Sequence, residues 1–325
     1  MTNGNEAIQQ LALFGLVPVI RLEDAAQAVP LAAALRKGGL PVAEVTFRTA
    51  AAADSIRRIR EADPAMRVGA GTVLSPEQVD QAIEAGAGFI VTPGFSRRVV
   101  ERCLERGVPV VPGCSGPTDM ETALEYGLDA VKFFPAEASG GLAALKAMSA
   151  PYGSLRFVPT GGIDAKNLKD YLAFDKVLAC GGSWMVKEDL VAAGDFDGVT
   201  RLTAEAVAIV LGFELAHVGV NPGGGSARSI AEAFAALLGA GIKEGNSSIF
   251  AGTAVEVLKE DGRGARGHLG VRTRSIVRAV DWLERQGLSV DASSEKRDAK
   301  GRRVAVYLKE EIGGFAVHLV QEVSK

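Results

Sequence analysis

Cysteine is scarce: Cys103, Cys114 and Cys180 are the three in 325 residues, an odd number, far apart and in no metal-binding or redox spacing. They exclude a disulfide framework and a cysteine-ligated zinc site, and they read as reduced, buried thiols of a cytoplasmic protein. A basic excess is also missing. Thirty-six Lys and Arg stand against 39 Asp and Glu, for a net charge of −3, which predicts no nucleic-acid partner. The opening segment MTNGNEAIQQLALFGLVPVI has no basic start and only a short apolar run. It predicts neither a signal peptide nor a membrane span, and so no membrane partner. Histidine occurs three times, so its placement is informative.

What is present is ordinary for a globular protein: 47% hydrophobic and 23% charged residues, in a chain long enough for about two domains. Short apolar runs recur along residues 1–212 at even spacing: VPVIR (17–21), VAEVTF (42–47), RVGAGTV (67–73), FIVTPG (89–94), PVVPGC (109–114), AVKFFPA (130–136), RFVPTGG (156–162) and VLACGGS (177–183). Segments of helical periodicity such as 24–37, 75–85 and 97–106 separate them. Strands that alternate with helices pair in parallel, and continuous apolar runs fit strands covered on both faces. Eight such units predict a (β/α)8 TIM barrel. An open doubly wound sheet is the alternative, weakened by the lack of G-x-G-x-x-G after the first strand.

Polar residues gather at the predicted strand ends: Arg21, Glu44 with Arg48, Thr72, Thr92–Pro93, Ser115, Lys132, Thr160 and Ser183. In a barrel of this kind that rim carries the active site. Glu44, Thr46 and Arg48 share parity and face one side if the strand runs through 48; a buried Glu–Arg ion pair is the other reading. PTGGID (159–164) and CGGSW (180–184) put glycine pairs after strands seven and eight, where this fold binds phosphate. Gly161 and Gly162 permit close backbone approach, a following helix N-terminus offers N–H groups, and Thr160 and Ser183 add hydroxyls. Tight βα turns alone would also use such pairs.

Lys132 lies among Val131, Phe133 and Phe134, where burial disfavours an ammonium. A neutral amine attacks a ketone, and the resulting protonated imine accepts the electron pair of a breaking C–C bond. Glu44 is placed to shuttle protons, and Arg48 and Thr72 to hold a carboxylate. A structural Lys132–Glu44 ion pair, an isomerase using Glu44 as base, and a phosphometabolite sensor remain alternatives.

EVTFRT (44–49), GAGTVL (69–74), VTPG (91–94), KFFPAE (132–137), PTGGI (159–163) and GGSW (181–184) resemble the bacterial 2-keto-3-deoxy-6-phosphogluconate / 2-keto-4-hydroxyglutarate aldolases over residues 1–212. The resemblance implies a class I aldolase that releases pyruvate and glyceraldehyde 3-phosphate. It implies Lys132 as the Schiff-base lysine, Glu44 as acid–base, and Arg48 and Thr72 at the pyruvyl carboxylate. Phe134 becomes a pocket wall, and Thr160, Gly161, Gly162 and Ser183 the phosphate site; Arg21 and Pro93, taken from the strand ends rather than from the resemblance, complete the expected substrate-binding set. It further implies a cytoplasmic homotrimer that needs no metal. Gly116 departs from the pattern, standing where the family commonly has threonine.

Residues 213–325 change texture. A strand, a helix and short strands (213–259) are followed by the same order again (267–321), with HVGV and HLGV marking matching first strands and AVEVL and AVHLV matching last ones. The segment resembles the vicinal-oxygen-chelate (glyoxalase-like) fold, a smaller α+β domain of duplicated βαβββ modules. The resemblance implies metal ligands at His217, Glu256, His268 and His318, types that suit Zn²⁺ or Fe²⁺. His318 departs from the family's usual final carboxylate. A metal-free scaffold or an interaction module is the alternative.

Overall fold

The even apolar runs of the first part become short parallel strands: β1 (Leu16–Ile20), β2 (Val42–Thr46), β3 (Arg67–Gly71), β4 (Ile90–Val91), β5 (Val110–Val111), β6 (Gly113–Cys114), β7 (Ala130–Phe133), β8 (Arg156–Phe157) and β9 (Cys180–Gly182). The computed structural model describes residues 3–322. Pairing runs β5-β4-β3-β2-β1-β9 in one sheet and β6-β7-β8 in another. The two sheets are arcs of one ring. β5 and β6 are halves of a single run split at Pro112, which has no N–H for the ladder. Its carbonyl still accepts the Lys132 N–H at 2.8 Å. Parallel bridges Phe157↔Val177 and Thr160↔Gly181 join β8 to the run ending in β9. The result is an eight-membered parallel barrel, and the open-sheet alternative is set aside because no edge is left in the ring.

The covering helices form for local reasons. In Pro76–Glu84, Ser75 caps the first turn by accepting the Gln78 N–H, and Pro76 sits at the first position, where its missing donor is not needed. Ser75→Ala would cost about 1 kcal/mol. Ala28–Lys37 turns Ala28, Leu31, Ala32 and Leu35 inward, and Ala52–Ala62 turns Ile56 and Ile59 inward. Each buried Leu or Ile contributes about 1.5–3 kcal/mol. These stripes hold the strands, and the strands hold the rim.

The chain divides into two compact units, Met1–Val210 and Leu211–Lys325. The second contains β10 (Glu214–Val220), β11 (Ile242–Glu244), β12 (Ser248–Ala251), β13 (Val255–Leu258), β14 (His268–Thr273), β15 (Lys296–Arg297), β16 (Arg303–Tyr307) and β17 (Ala316–Gln321). Its single sheet has the order β11-β12-β13-β10-β14-β17-β16-β15. β10 and β14 pair antiparallel at the centre, and each is parallel to its outer neighbour, β13 or β17. One helix follows each central strand. Ile276–Arg285 buries Ile276, Ala279, Val280 and Leu283 at helical spacing and is capped by Ser275. Ala227–Leu238 packs through Ala231 on Ile249 and Val257, with Ile230 and Phe234 completing the cluster. No helix among the described residues is long and apolar enough to cross a membrane.

Candidate active site

Two buried residues of opposite charge meet inside the barrel. Glu44 on β2 is 3% exposed and Lys132 on β7 is 5% exposed, and Lys132 Nζ lies 3.4 Å from Glu44 Oε1. The lysine also sits 5.0 Å from the Phe134 ring centroid, close enough for a cation–π contribution when charged. Space for the carboxylate comes from β3: a Cβ at Gly71 would collide with Glu44. Thr72, the next residue, holds φ at +56°, a left-handed conformation that a β-branched residue adopts only under constraint. Pro93 lies beside the lysine's other neighbour. Gly113 pairs with Lys132, and a Cβ on Gly113 would strike the Pro93 carbonyl.

Arg48 is not on the strand. β2 stops at Thr46, and only the Phe47 N–H extends the ladder, to Gly71 O at 2.7 Å. Two threonines turn the chain: Thr46 Oγ1 donates to Ile20 O at 2.8 Å and Thr49 Oγ1 to Leu22 O at 2.5 Å. Strand parity therefore does not aim Arg48; the turn does. It still lines a cleft of about 460 Å³ together with Arg21, Phe134, Thr160, Gly161, Gly162 and Ser183. Thr46, Trp184 and Lys187 line the same cleft and were not read from the sequence as site residues. Arg21 is shared by Glu23 at 2.5 Å and Glu188 at 3.4 Å, so its charge is partly neutralised at the cleft wall.

Gly161 and Gly162 have φ of +96° and +79°, which favours glycine at both positions. The expected helix N-terminus is displaced: the next helices are Leu168–Leu172 and Glu188–Ala192. Asp164 accounts for the first delay, because its side chain accepts the Lys166 N–H at 2.7 Å and its own N–H donates to Asn167 Oδ1 at 2.9 Å. The loop, rather than a helix end, presents the backbone to the cleft. Cys180 is buried; Cys103 and Cys114 are free and buried, and burial pushes these two thiols up to about 12. They take no part as nucleophiles.

The second unit gathers all three histidines. His217 Nε2 is 3.2 Å from His268 Nε2 and 3.1 Å from His318 Nε2. Glu256 Oε2 is 3.3 Å from His217 Nε2 and 3.1 Å from His268 Nε2, while Ser248 Oγ donates to Glu256 Oε1 at 2.6 Å. The sheet register explains the convergence. His217 stands opposite Gly270, and Gly219 opposite His268, on the antiparallel central pair. A Cβ on either glycine would overlap the facing imidazole. Each H-x-G therefore supplies one ring and makes room for the other, a signal present in the sequence as HVGV and HLGV. Tyr307 stacks on His318 at 4.7 Å and 15°. Burial of His318, with the neighbouring imidazoles, pushes its pKa down to about 3. Burial of Glu256 works toward a higher value, but hydrogen bonds from His268 and Ser248 and the nearby imidazoles outweigh it and hold the carboxyl at about 2.

Comparison with known proteins places the first unit. A family model described as KDPG and KHG aldolase matches residues 7–202. A Treponema pallidum protein named 2-dehydro-3-deoxy-phosphogluconate aldolase is 51% identical over 205 residues, covering 63% of this chain and 96% of its own. An Escherichia coli protein named KHG/KDPG aldolase is 45% identical over 208 residues, covering 64% of this chain and 98% of its own. Among solved structures, a KDPG aldolase from Legionella pneumophila, with pyruvate captured as a covalent carbinolamine, is 36% identical. It superposes with a TM-score of 0.60 over 64% of this chain and 98% of that one. A Zymomonas mobilis aldolase with 3-phosphoglycerate is 40% identical, with a TM-score of 0.59 over 64% and 97%.

Proposed function

The chain belongs, over residues 7–202, to the KDPG and KHG aldolase family, and on that premise we propose that its first unit cleaves 2-keto-3-deoxy-6-phosphogluconate to pyruvate and glyceraldehyde 3-phosphate. By the same route it would split 2-keto-4-hydroxyglutarate to pyruvate and glyoxylate. The observation that carries this reading is the buried Lys132–Glu44 pair, 3.4 Å apart, in a barrel whose cleft is lined by Arg48 and the glycine loop.

Lys132 Nζ adds to the C2 ketone, and loss of water gives the protonated imine. Glu44 takes the C4 hydroxyl proton, the C3–C4 bond breaks, and its electron pair flows into the imine, leaving an enamine and a free aldehyde. Glu44 returns the proton to the enamine carbon, and hydrolysis frees pyruvate and the amine. Arg48 and Thr72 hold the keto-acid carboxylate, Phe134 walls the pocket, and Thr160, Gly161, Gly162 and Ser183 take the phosphate; Pro93 and Arg21 complete the rim. We assign this enzyme to the cytoplasm as a homotrimer, following the family resemblance. The isomerase and sensor readings find no support among relatives that carry aldolase names. Pyruvate release from the phosphorylated keto-acid, coupled to lactate dehydrogenase, is the test. Turnover that disappears in Lys132→Ala is expected, and turnover surviving that change would refute the assignment.

For the second unit, we read the two half-sheets as duplicated βαβββ modules of a glyoxalase-like fold holding Zn²⁺ or Fe²⁺ at His217, Glu256, His268 and His318. Support comes from contacts of 3.1–3.3 Å among Nε2 and Oε2 atoms, near the about 3.3 Å between ligands that each lie about 2.0–2.1 Å from a tetrahedral ion. The unpartnered, buried His268 Nδ1 marks the outer side of a ring whose Nε2 faces the cluster. A divalent ion there would polarise a ligand oxygen as a Lewis acid. Metal analysis of protein purified without chelator tests this: about one ion per chain is expected, and a substoichiometric content would refute it.

A further inference from the structure

Glu137 ends the KFFPAE stretch and has no part in the chemistry above, yet two of its contacts are to the glycine loop and a third is to the helix that follows the loop. Its N–H donates to Gly161 O at 3.0 Å, next to an Ala136 N–H that donates to Thr160 O at 2.8 Å. Its Cβ and Cγ press on Gly162 so closely that a Cβ there would collide with them. Its Oε1 accepts the hydroxyl of Tyr171, a fully buried side chain at 1% exposure. Tyr171 belongs to the helix Leu168–Leu172, and Asn167, the residue immediately before that helix, donates to Gly162 O at 2.9 Å.

The segment leaving the lysine strand and the helix leaving the loop are thus clipped to each other across Gly161–Gly162. Charge does not account for the clip, since a carboxylate beside a phosphate site repels the ligand. Geometry does. Both loop residues hold left-handed φ, and glycines are free to leave it unless something fixes them. A buried tyrosine hydroxyl, for its part, needs an acceptor.

We infer that Glu137 and Tyr171 are positioning residues: they fix the Gly161–Gly162 backbone for the phosphate end of the substrate and so set the preference for phosphorylated over unphosphorylated keto-acids. This rests on the aldolase reading above. The phosphate end is remote from bond cleavage, so the clip acts on binding of that end and leaves imine chemistry at Lys132 alone.

The test uses the full chain carrying Tyr171→Phe, Glu137→Ala or Glu137→Gln. KM and kcat are measured for 2-keto-3-deoxy-6-phosphogluconate and for 2-keto-4-hydroxyglutarate. Exchange of pyruvate methyl protons in D2O is followed alongside, because it needs the imine and Glu44 but no phosphate. Tyr171→Phe and Glu137→Ala are expected to raise KM for the phosphorylated substrate about tenfold, the loss expected for a hydrogen bond to a charged group. KM for the unphosphorylated substrate and pyruvate exchange should stay within about twofold. Glu137→Gln keeps an acceptor and removes the repelling charge, so its KM for the phosphorylated substrate should equal or fall below that of the wild type. An unchanged KM in Tyr171→Phe, or a parallel loss on both substrates and in pyruvate exchange, would overturn the inference. A wild type that exchanges no pyruvate protons would instead overturn the aldolase reading, and this inference with it.

Discussion

Gly71→Ala tests the site without removing a single functional group. Gly71 pairs with Thr46, and its missing side chain faces the Glu44 carboxyl. A Cβ there would stand 2.6 Å from Glu44 Cγ and 2.8 Å from Cδ, against an ordinary carbon–carbon separation of about 3.5–4.0 Å. The carboxyl has to retreat by about 1 Å, and at 3% exposure it has little room to do so. Overpacking of this kind costs about 1–3 kcal/mol, which lowers the melting temperature by several degrees. A proton shuttle misplaced by about 1 Å costs about 100-fold in turnover. Lys132 is untouched, so pyruvate should still be trapped on it by borohydride. Gly88→Ala is the control, because its Cβ meets nothing nearer than Val68 O at 3.7 Å. The readouts are kcat by coupled pyruvate release, thermal unfolding and the trapped adduct. A Gly71→Ala enzyme within about threefold of Gly88→Ala in kcat, with the same melting temperature, would refute the argument.

Thr72→Gly should remove left-handed strain of about 1–2 kcal/mol while adding about 0.5–1 kcal/mol of unfolded-chain freedom. The melting temperature should therefore hold or rise while KM for the keto-acid increases, and a destabilised variant with unchanged KM would contradict this. Gly219→Ala places a methyl in the His268 ring, so calorimetric Zn²⁺ titration should show a loss of about 100-fold, whereas Gly241→Ala, with open space, should bind as the wild type does. In chelated protein the second unit should lose stability on acidification. His318 has a folded value of about 3 against 6.5, and Glu256 about 2 against 4.5; the unfolded chain thus binds more protons across the acid range. The His318 contribution alone removes about 2 kcal/mol between pH 6.5 and pH 5. Urea unfolding that is flat over that interval would contradict it.

The barrel was legible because each of its strands is covered on both faces and so reads as a continuous apolar run, with helical periods between. What the runs hid were breaks made by single residues. Pro112 splits one strand into β5 and β6, and the Thr46 and Thr49 hydroxyls end β2 two residues before Arg48. Polar residues at strand ends could be listed from sequence, but which of them share a cleft is tertiary information: Arg21 lines it while ion-paired to Glu188. The glycines that make room, Gly71 for Glu44 and Gly219 for His268, act across strand pairs that no single segment reveals. The repeated H-x-G was readable; that each glycine serves the other strand's histidine required the register.

The most direct measurement is to incubate the protein with pyruvate and sodium borohydride and map the reduced adduct by peptide mass. One adduct is expected, on Lys132 and absent from Lys132→Ala. An intact, folded protein that acquires no adduct, or acquires it on another lysine, would contradict the assignment of the buried 3.4 Å pair as the reacting centre.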